Sequence, residues 1–259
     1  MILTVDVGNT NIVLGGFKGN KLLFVSRLQT NKYKMADEYT IQFKSLLDLY
    51  GFSPNEFEGA IISSVVPPLL PTLKQSIKQL FKCKVITVSP GTKTGLNIIT
   101  DNPAILGADL VCGAVGAMAR YQMPCIIIDL GTATKFSVMD KNACFLGVSI
   151  MPGINISLDA LSKRTAQLPH IEFSEAHDVI GTNTVDSMLS GVVFGTASMI
   201  DGMIGRIEHE LGEKATVVVT GGLAGNIIPH CKSEIHVDQD LLLYGLLEIY
   251  HKNVKPKTI

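Results

Sequence analysis

These 259 residues carry little charge: 17% are Asp, Glu, Lys or Arg, and 22 basic against 23 acidic side chains leave a net charge of −1 at pH 7. A nucleic-acid surface needs a local excess of Lys and Arg to displace counterions. No basic domain and no helix-turn-helix signature supplies one, so nucleic acid is not an expected partner. Cysteine is sparse too. Cys83, Cys112, Cys125, Cys144 and Cys231 are odd in number, widely spaced and without a Cys-x-x-Cys pair, which removes the zinc knuckle and the thioredoxin-type motif and suits free thiols in a reducing compartment. His170, His177 and His236 lack metal-ligand spacing.

Other signals are missing as well. Met1 runs directly into the strand-like Ile2-Leu3-Thr4-Val5 with no basic segment and cleavable apolar stretch. The longest uncharged run, Asn142 to Leu158, is broken by Asn, Ser, Gly and Pro and makes a poor bilayer span. A soluble, cytoplasmic protein with no membrane partner is expected. Neither G-x-x-x-x-G-K-[ST] nor G-x-G-x-x-G occurs, so the Walker loop and the dinucleotide fingerprint are excluded. With 46% hydrophobic residues the chain has ample material for a core, and disorder is excluded for most of its length.

What is present is a repeated segment. Leu3-Thr4-Val5-Asp6-Val7-Gly8-Asn9-Thr10-Asn11-Ile12-Val13 and Ile126-Ile127-Ile128-Asp129-Leu130-Gly131-Thr132-Ala133-Thr134-Lys135-Phe136 share one pattern: apolar strand, Asp, apolar, Gly, polar residues including Thr, then a second apolar stretch. A self-match at about half the chain length points to duplicated lobes rather than a short-period solenoid. The expected division is 1–121 and 122–259. Periodicity predicts helices over Ala36 to Tyr50, Pro71 to Phe81, Pro103 to Arg120, Ile156 to Arg164, Val185 to Glu210 and Asp240 to His251. Strands are expected at Gly59 to Val66, Val85 to Val88, Phe145 to Ile150 and Ala215 to Val219, and a frayed basic tail over Asn253 to Ile259. Alternating strands and helices make the chain α/β.

A strand ending in Asp-x-Gly with nearby Thr gathers a carboxylate, a permissive backbone and hydroxyl and amide donors in one place. Such turns can bind phosphate through backbone N–H groups and hold Mg²⁺ through the carboxylate. One copy alone is ordinary turn punctuation. Two copies in register, with a later strand running into Gly221-Gly222 where a backbone could pass close to an adenosine, form a more specific pattern.

The two turns with Gly221-Gly222 resemble the actin-like and sugar-kinase-like ATPases, whose duplicated ribonuclease H-like lobes clasp ATP in an interdomain cleft. The chain is similar more closely to the type III pantothenate kinases. That likeness rests on Asp6-Val7-Gly8-Asn9-Thr10-Asn11, Gly107-Ala108-Asp109, Asp129-Leu130-Gly131-Thr132-Ala133-Thr134, Pro152-Gly153 with Ser157 and Leu161, Leu168-Pro169, Gly181-Thr182-Asn183-Thr184, Ser190-Gly191 and Asp240 through Leu246.

The resemblance implies transfer of the γ-phosphoryl of ATP to pantothenate, the first step toward coenzyme A. It implies Asp109 as catalytic base. Asp6, Val7, Gly8, Asn9, Thr10, Asn11, Ile12 and Val13 would form the first phosphate loop, with Thr132 in the second and Gly221 and Gly222 on the adenosine side. Thr100, Gly107, Ala108, Asp109, Leu110 and Thr184 would line the acceptor site, Thr184 across a homodimer interface. Asp129 would be a ligand of a monovalent cation, potassium or ammonium, and Mg²⁺ would accompany ATP. Without the resemblance, Asp109 reads first as an acidic residue complementing a helix dipole, ahead of a base, and Lys135 is an internal partner candidate for Asp129.

Three positions depart from the family's usual pattern. Leu110 stands where an Arg normally follows the Asp, removing a bidentate fork for an anion. Thr100 replaces a Tyr before the Asn-Pro, and Lys135 follows Thr134 where a second Thr is usual. A kinase for another small hydroxylated metabolite and a non-catalytic regulator binding nucleotide or a pantothenate-like ligand therefore stand as alternatives.

Overall fold

The computed structural model describes residues 1–254, so the expected frayed tail lies outside the described residues from position 255 onward. The first elements are β1 (Ile2–Val7), β2 (Asn11–Lys18), β3 (Lys21–Gln29), α1 (Ala36–Tyr50), β4 (Gly59–Ser64), α2 (Leu70–Phe81), β5 (Lys84–Thr87), β6 (Asn97–Ile98) and α3 (Ala108–Arg120). Then come β7 (Cys125–Leu130), β8 (Ala133–Met139), β9 (Cys144–Pro152), α4 (Ile154–Arg164), α5 (Thr184–Leu211), β10 (Thr216–Thr220), α6 (Ala224–Ile227), β11 (His236–Val237) and α7 (Leu241–Asn253).

The chain forms two compact units. The first holds Met1–Leu96, Asp101–Ala119 and the described residues from Asp240 on; the second holds Asn97–Thr100 and Arg120–Gln239. The last helix therefore belongs with the first strands, and a short piece of the first half, carrying β6, belongs with the second unit.

The sheet of the first unit runs β3-β2-β1-β4-β5, and that of the second runs β11-β10-β7-β8-β9-β6. Read from the other edge, the second order is β9-β8-β7-β10-β11 with β6 added outside β9, so β7 occupies the place of β1. The pairings match as well: β1 is antiparallel to β2 and parallel to β4, while β7 is antiparallel to β8 and parallel to β10. The repeat in the sequence is a repeat of topology.

Alternation along β1 sends Leu3, Val5 and Val7 to one face, where they meet Tyr39, Phe43 and Leu47 of α1 and Leu73 and Ile77 of α2. Ile2, Thr4 and Asp6 face the other way. On that side α7 packs against β1, β2 and β4. A Cβ on Gly116 of α3 would strike the Leu241 carbonyl, and one on Gly245 of α7 would strike the Cys112 carbonyl, so paired glycines let these helices touch backbone to backbone. In the second unit Ile126, Ile128 and Leu130 meet α4 and α5 residues, including Leu158, Val193 and Ile200, leaving Asp129 on the opposite face.

Helix α5 begins at an Asn183 cap, whose side chain accepts from the Asp186 N–H at 3.0 Å, and stops at Gly212 with φ 75°. It is long and apolar enough to cross a membrane by length and composition, yet nine of its residues are buried inside the unit. The continuous helix expected over Pro103 to Arg120 is divided. Pro103–Ile105 forms a single 3₁₀ turn capped by Asn102, Leu106 turns extended with ψ 128°, and α3 starts at Ala108. This break puts Asp109 in the first turn of its helix.

Candidate active site

The first turn belongs to the first unit. Val7 and Ile12 are fully buried, so of the expected phosphate-loop residues these two offer only backbone, while Asn9, Thr10 and Asn11 are exposed at the tip. The Gly8 N–H donates to the Asn11 carbonyl at 2.9 Å and closes the bend. Thr30, at the end of β3, braces it twice: its hydroxyl donates to the Gly8 carbonyl at 2.7 Å and its N–H to the Thr10 carbonyl at 2.8 Å. With these carbonyls engaged from beside the tip, the bend is held in one conformation. Thr30 had no local motif to mark it, because its role depends on the β2–β3 pairing.

Asp109 stands in the same unit. Its Oδ1 accepts the Leu110 N–H at 2.8 Å, and a Cβ on Gly107 would lie 2.5 Å from that oxygen, so only glycine at 107 leaves room for the carboxylate there. Ala108 and Leu110 are half-buried on either side. One helical turn on, Cys112 is fully buried. Its thiol pKa is pushed well above the ordinary 9.0, first by burial, then by the negative charge of Asp6 and, more weakly, by that of Asp109, while a hydrogen bond with Ser63 acts the other way. Both carboxylates thus act on one buried thiol: the end of β1 and the start of α3 bring Asp6 and Asp109 to the same corner of the unit. Cys112 and Ser63 were not marked by any sequence pattern.

The second turn is built differently. Asp129 Oδ2 lies 2.7 Å from the ammonium of Lys135, and the two side chains are 24% and 16% exposed. They are direct cross-strand partners in the β7–β8 ladder. Gly153, before α4, packs on the bend so tightly that a Cβ there would meet the carbonyls of Gly131, at 2.6 Å, and Thr132. Gly221, after β10, has φ 100° and would put a Cβ 2.5 Å from the Leu130 carbonyl. Asp129, Thr132 and Gly221 therefore share one neighbourhood, and the Gly221 position is demanded by the fold itself. Gly222 faces open space.

Thr184 is exposed at the start of α5 and lines an open depression of about 710 Å³ with Leu161, Leu168, Thr182, Ser187 and Met188. No residue of the 129–134 turn lines it. Thr100 falls in the second unit, its hydroxyl oxygen buried and without a hydrogen-bond partner among the described residues. A separate network went unread in the sequence: buried Asp238 receives the Arg120 Nε–H at 2.9 Å and the Tyr121 hydroxyl at 3.0 Å. Its members are over a hundred residues apart, and it ties β11 to the segment entering β7. Among the described residues no group of three or more His, Cys, Asp or Glu could hold a metal ion.

Two topologically equivalent α/β lobes, each with a mixed sheet and an aspartate at the end of its first strand, define the fold class of the actin-like ATPases and sugar kinases. The Clostridium difficile activator of 2-hydroxyisocaproyl-CoA dehydratase, solved with bound ADPNP, shares this fold at a TM-score of 0.58 and 16% identity, over 100% of this chain and 99% of that one. The sequence profile of the type III pantothenate kinases matches residues 2–206, and the chain belongs to that family of phosphotransferases, which phosphorylate pantothenate in coenzyme A biosynthesis. The type III pantothenate kinase of an Exiguobacterium strain is 46% identical over 98% of this chain and 100% of its own length. That of Halalkalibacterium halodurans is 42% identical with the same coverage.

Proposed function

We propose that this chain transfers the γ-phosphoryl group of ATP to the primary hydroxyl of pantothenate, with Asp109 as the base that orients and deprotonates that hydroxyl. The observation that carries the reading is the convergence of Asp6 and Asp109 about Cys112, a phosphate-side and an acceptor-side carboxylate in one corner. As the acceptor oxygen bonds to phosphorus, the bond from phosphorus to the ADP oxygen breaks and the hydroxyl proton passes to Asp109. Phosphoryl transfer is mostly positioning and charge stabilisation, and a placed base contributes about 10²–10⁴-fold.

The braced loop from Asp6 to Val13 would hold the phosphates through the exposed Asn9, Thr10 and Asn11, with Gly8 closing the bend that presents them. Thr132 would add a contact from the second turn, and Gly221 and Gly222 would border the adenosine. Gly107, Ala108, Leu110, Thr100 and Thr184 would surround the acceptor. Mg²⁺ fits the hard oxygen donors of the first turn, with Asp6 as its protein ligand, directly or through water, and would neutralise the β- and γ-phosphates. The exposed Val179, Ile180 and Val185 beside the Thr184 depression favour a homodimer through the start of α5. Five free cysteines agree with a cytoplasmic location.

The test is an acceptor screen of the purified chain with ATP and magnesium, following ADP release and product mass. Phosphorylated pantothenate is expected. Turnover of a different alcohol alone, or nucleotide binding with no turnover of any acceptor, overturns the reading. Leu110→Arg sharpens it: a lower KM for pantothenate is expected if the missing guanidinium is the only change at the acceptor site.

A further inference from the structure

The monovalent cation implied for Asp129 meets a poor donor set in this chain. A potassium or ammonium ion needs several oxygen donors and no competing positive charge, whereas Asp129 Oδ2 already holds an ammonium at 2.7 Å. A second cation on the same carboxylate would sit within a few ångströms of that charge and be repelled. We infer that Lys135 is this chain's built-in monovalent cation, and that its phosphoryl transfer requires no added potassium or ammonium. The inference rests on the kinase reading above.

Its setting distinguishes Lys135 from the other lysines. Lys44, Lys163 and Lys214 also form ion pairs among the described residues, but on the surface, with side chains 62%, 71% and 89% exposed. At 16% exposure Lys135 has lost most of its hydration, and a charge in that position is retained only with a partner of opposite sign. The ladder fixes where the ammonium goes. Lys135 pairs with Asp129 on one side and Ile150 on the other, so cross-strand alternation directs it over the same sheet face as Asp129. An ammonium anchored there cancels the carboxylate charge beside Thr132, and the second turn can then approach an anionic phosphate without repulsion. Potassium bound at the same spot would do the same electrostatic work, but could dissociate; a side chain cannot.

The experiment uses the full chain exchanged into tetramethylammonium chloride at fixed ionic strength, with ATP, magnesium and pantothenate, titrated with KCl or NH₄Cl. ADP-induced shifts in melting temperature are read in the same salts. Wild-type turnover and nucleotide-induced shift are expected to change by less than about twofold on adding potassium. Lys135→Met should lose about tenfold or more in tetramethylammonium, the scale expected when a desolvated charge partner is removed, and regain activity in a saturable way with potassium or ammonium. Lys135→Arg, which keeps the charge, should retain cation-independent nucleotide binding.

Wild-type turnover or nucleotide binding that rises tenfold with potassium overturns the inference, as does full activity of Lys135→Met without any added cation. If Lys135→Met does not fold, the wild-type salt titration and Lys135→Arg still decide the question. Absence of pantothenate turnover in every salt would instead defeat the kinase reading, while the melting shifts would continue to report on the cation.

Discussion

The two lobes carry corresponding rows of side chains on one face of each sheet, and the rows differ in a single informative way. In the first lobe the row across four strands is Ser63, Asp6, Val13, Arg27; in the second it is Thr220, Asp129, Lys135, Ile150. Each has a hydroxyl on the inner strand, a carboxylate next to it, one apolar residue and one cation. The cation stands two strands from Asp6 but immediately beside Asp129. The Asp6 turn has exposed polar residues at its tip and a second carboxylate, Asp109, in its corner. The Asp129 turn is neutralised internally and hemmed in by Gly153 and Gly221. One topology thus frames two unlike carboxylates: Asp6 faces Val13 across the β1–β2 ladder, whereas Asp129 faces the ammonium-bearing Lys135 across the β7–β8 ladder.

The strongest way to break this contrast is to remove the chemistry from the first lobe. Asp109→Asn should lower kcat by about 10²–10⁴-fold with nucleotide binding largely kept, as read by steady-state rates and calorimetric titration with ADP; retained turnover would take Asp109 out of the mechanism. The second lobe should answer in stability as well as in cation-dependent turnover. Lys135→Met leaves a partly buried carboxylate without its ammonium and should cost about 3 kcal/mol in denaturant unfolding. Val13→Met, at the equivalent place opposite Asp6, should cost less than about 1.5 kcal/mol.

Glycine replacement tests how tightly each turn is packed. Gly153→Ala forces a methyl against two turn carbonyls and should cost about 2 kcal/mol, whereas Gly8→Ala, whose methyl would meet only the Asn11 carbonyl at 3.1 Å, should cost under about 1 kcal/mol. Both lobes should also respond to alkali. Burial raises the thiol pKa of Cys112 in the first lobe and takes that of Cys125 in the second from 9.0 to about 12. Below pH 9 the folded and unfolded chains both keep these protons. Above it the unfolded chain releases them first, so stability falls as pH rises from 9 toward the folded-state values. At pH 10 each such thiol should shift the unfolding equilibrium by about tenfold, and Cys125→Ala should flatten its share of the pH profile.

Local patterns were the ones the sequence disclosed. Apolar runs at β1 and β7, the periodic stretch of α1 and the long α5 all stand out within windows of a few turns, and Lys135 was a candidate partner for Asp129 because a hairpin keeps the two only six residues apart. Distant pairings did not show. Gly107 is a local weak point in the stretch from Pro103 to Arg120, but its effect was masked by the alanine-rich pattern on its far side; the chain turns extended at Leu106 and the helix restarts at Ala108. No local signal joins Asp238 to Arg120 and Tyr121, or brings Cys112 under Asp6, since each contact is made by elements that meet only once the sheets have formed. The repeat located both turns, but their unequal roles come from what packs beside them.

The glycine-to-backbone crossing of α3 and α7 sets an order of events during synthesis. The second lobe has all of its strands once the ribosome has passed residue 239, whereas the first, though its opening strands emerge earliest, has its sheet covered on the Asp6 side only after α7 arrives. A nascent chain must keep the helix bearing Asp109 waiting through the whole of the intervening lobe, and a chain truncated before Leu241 would have its earlier-made half as the unfinished one.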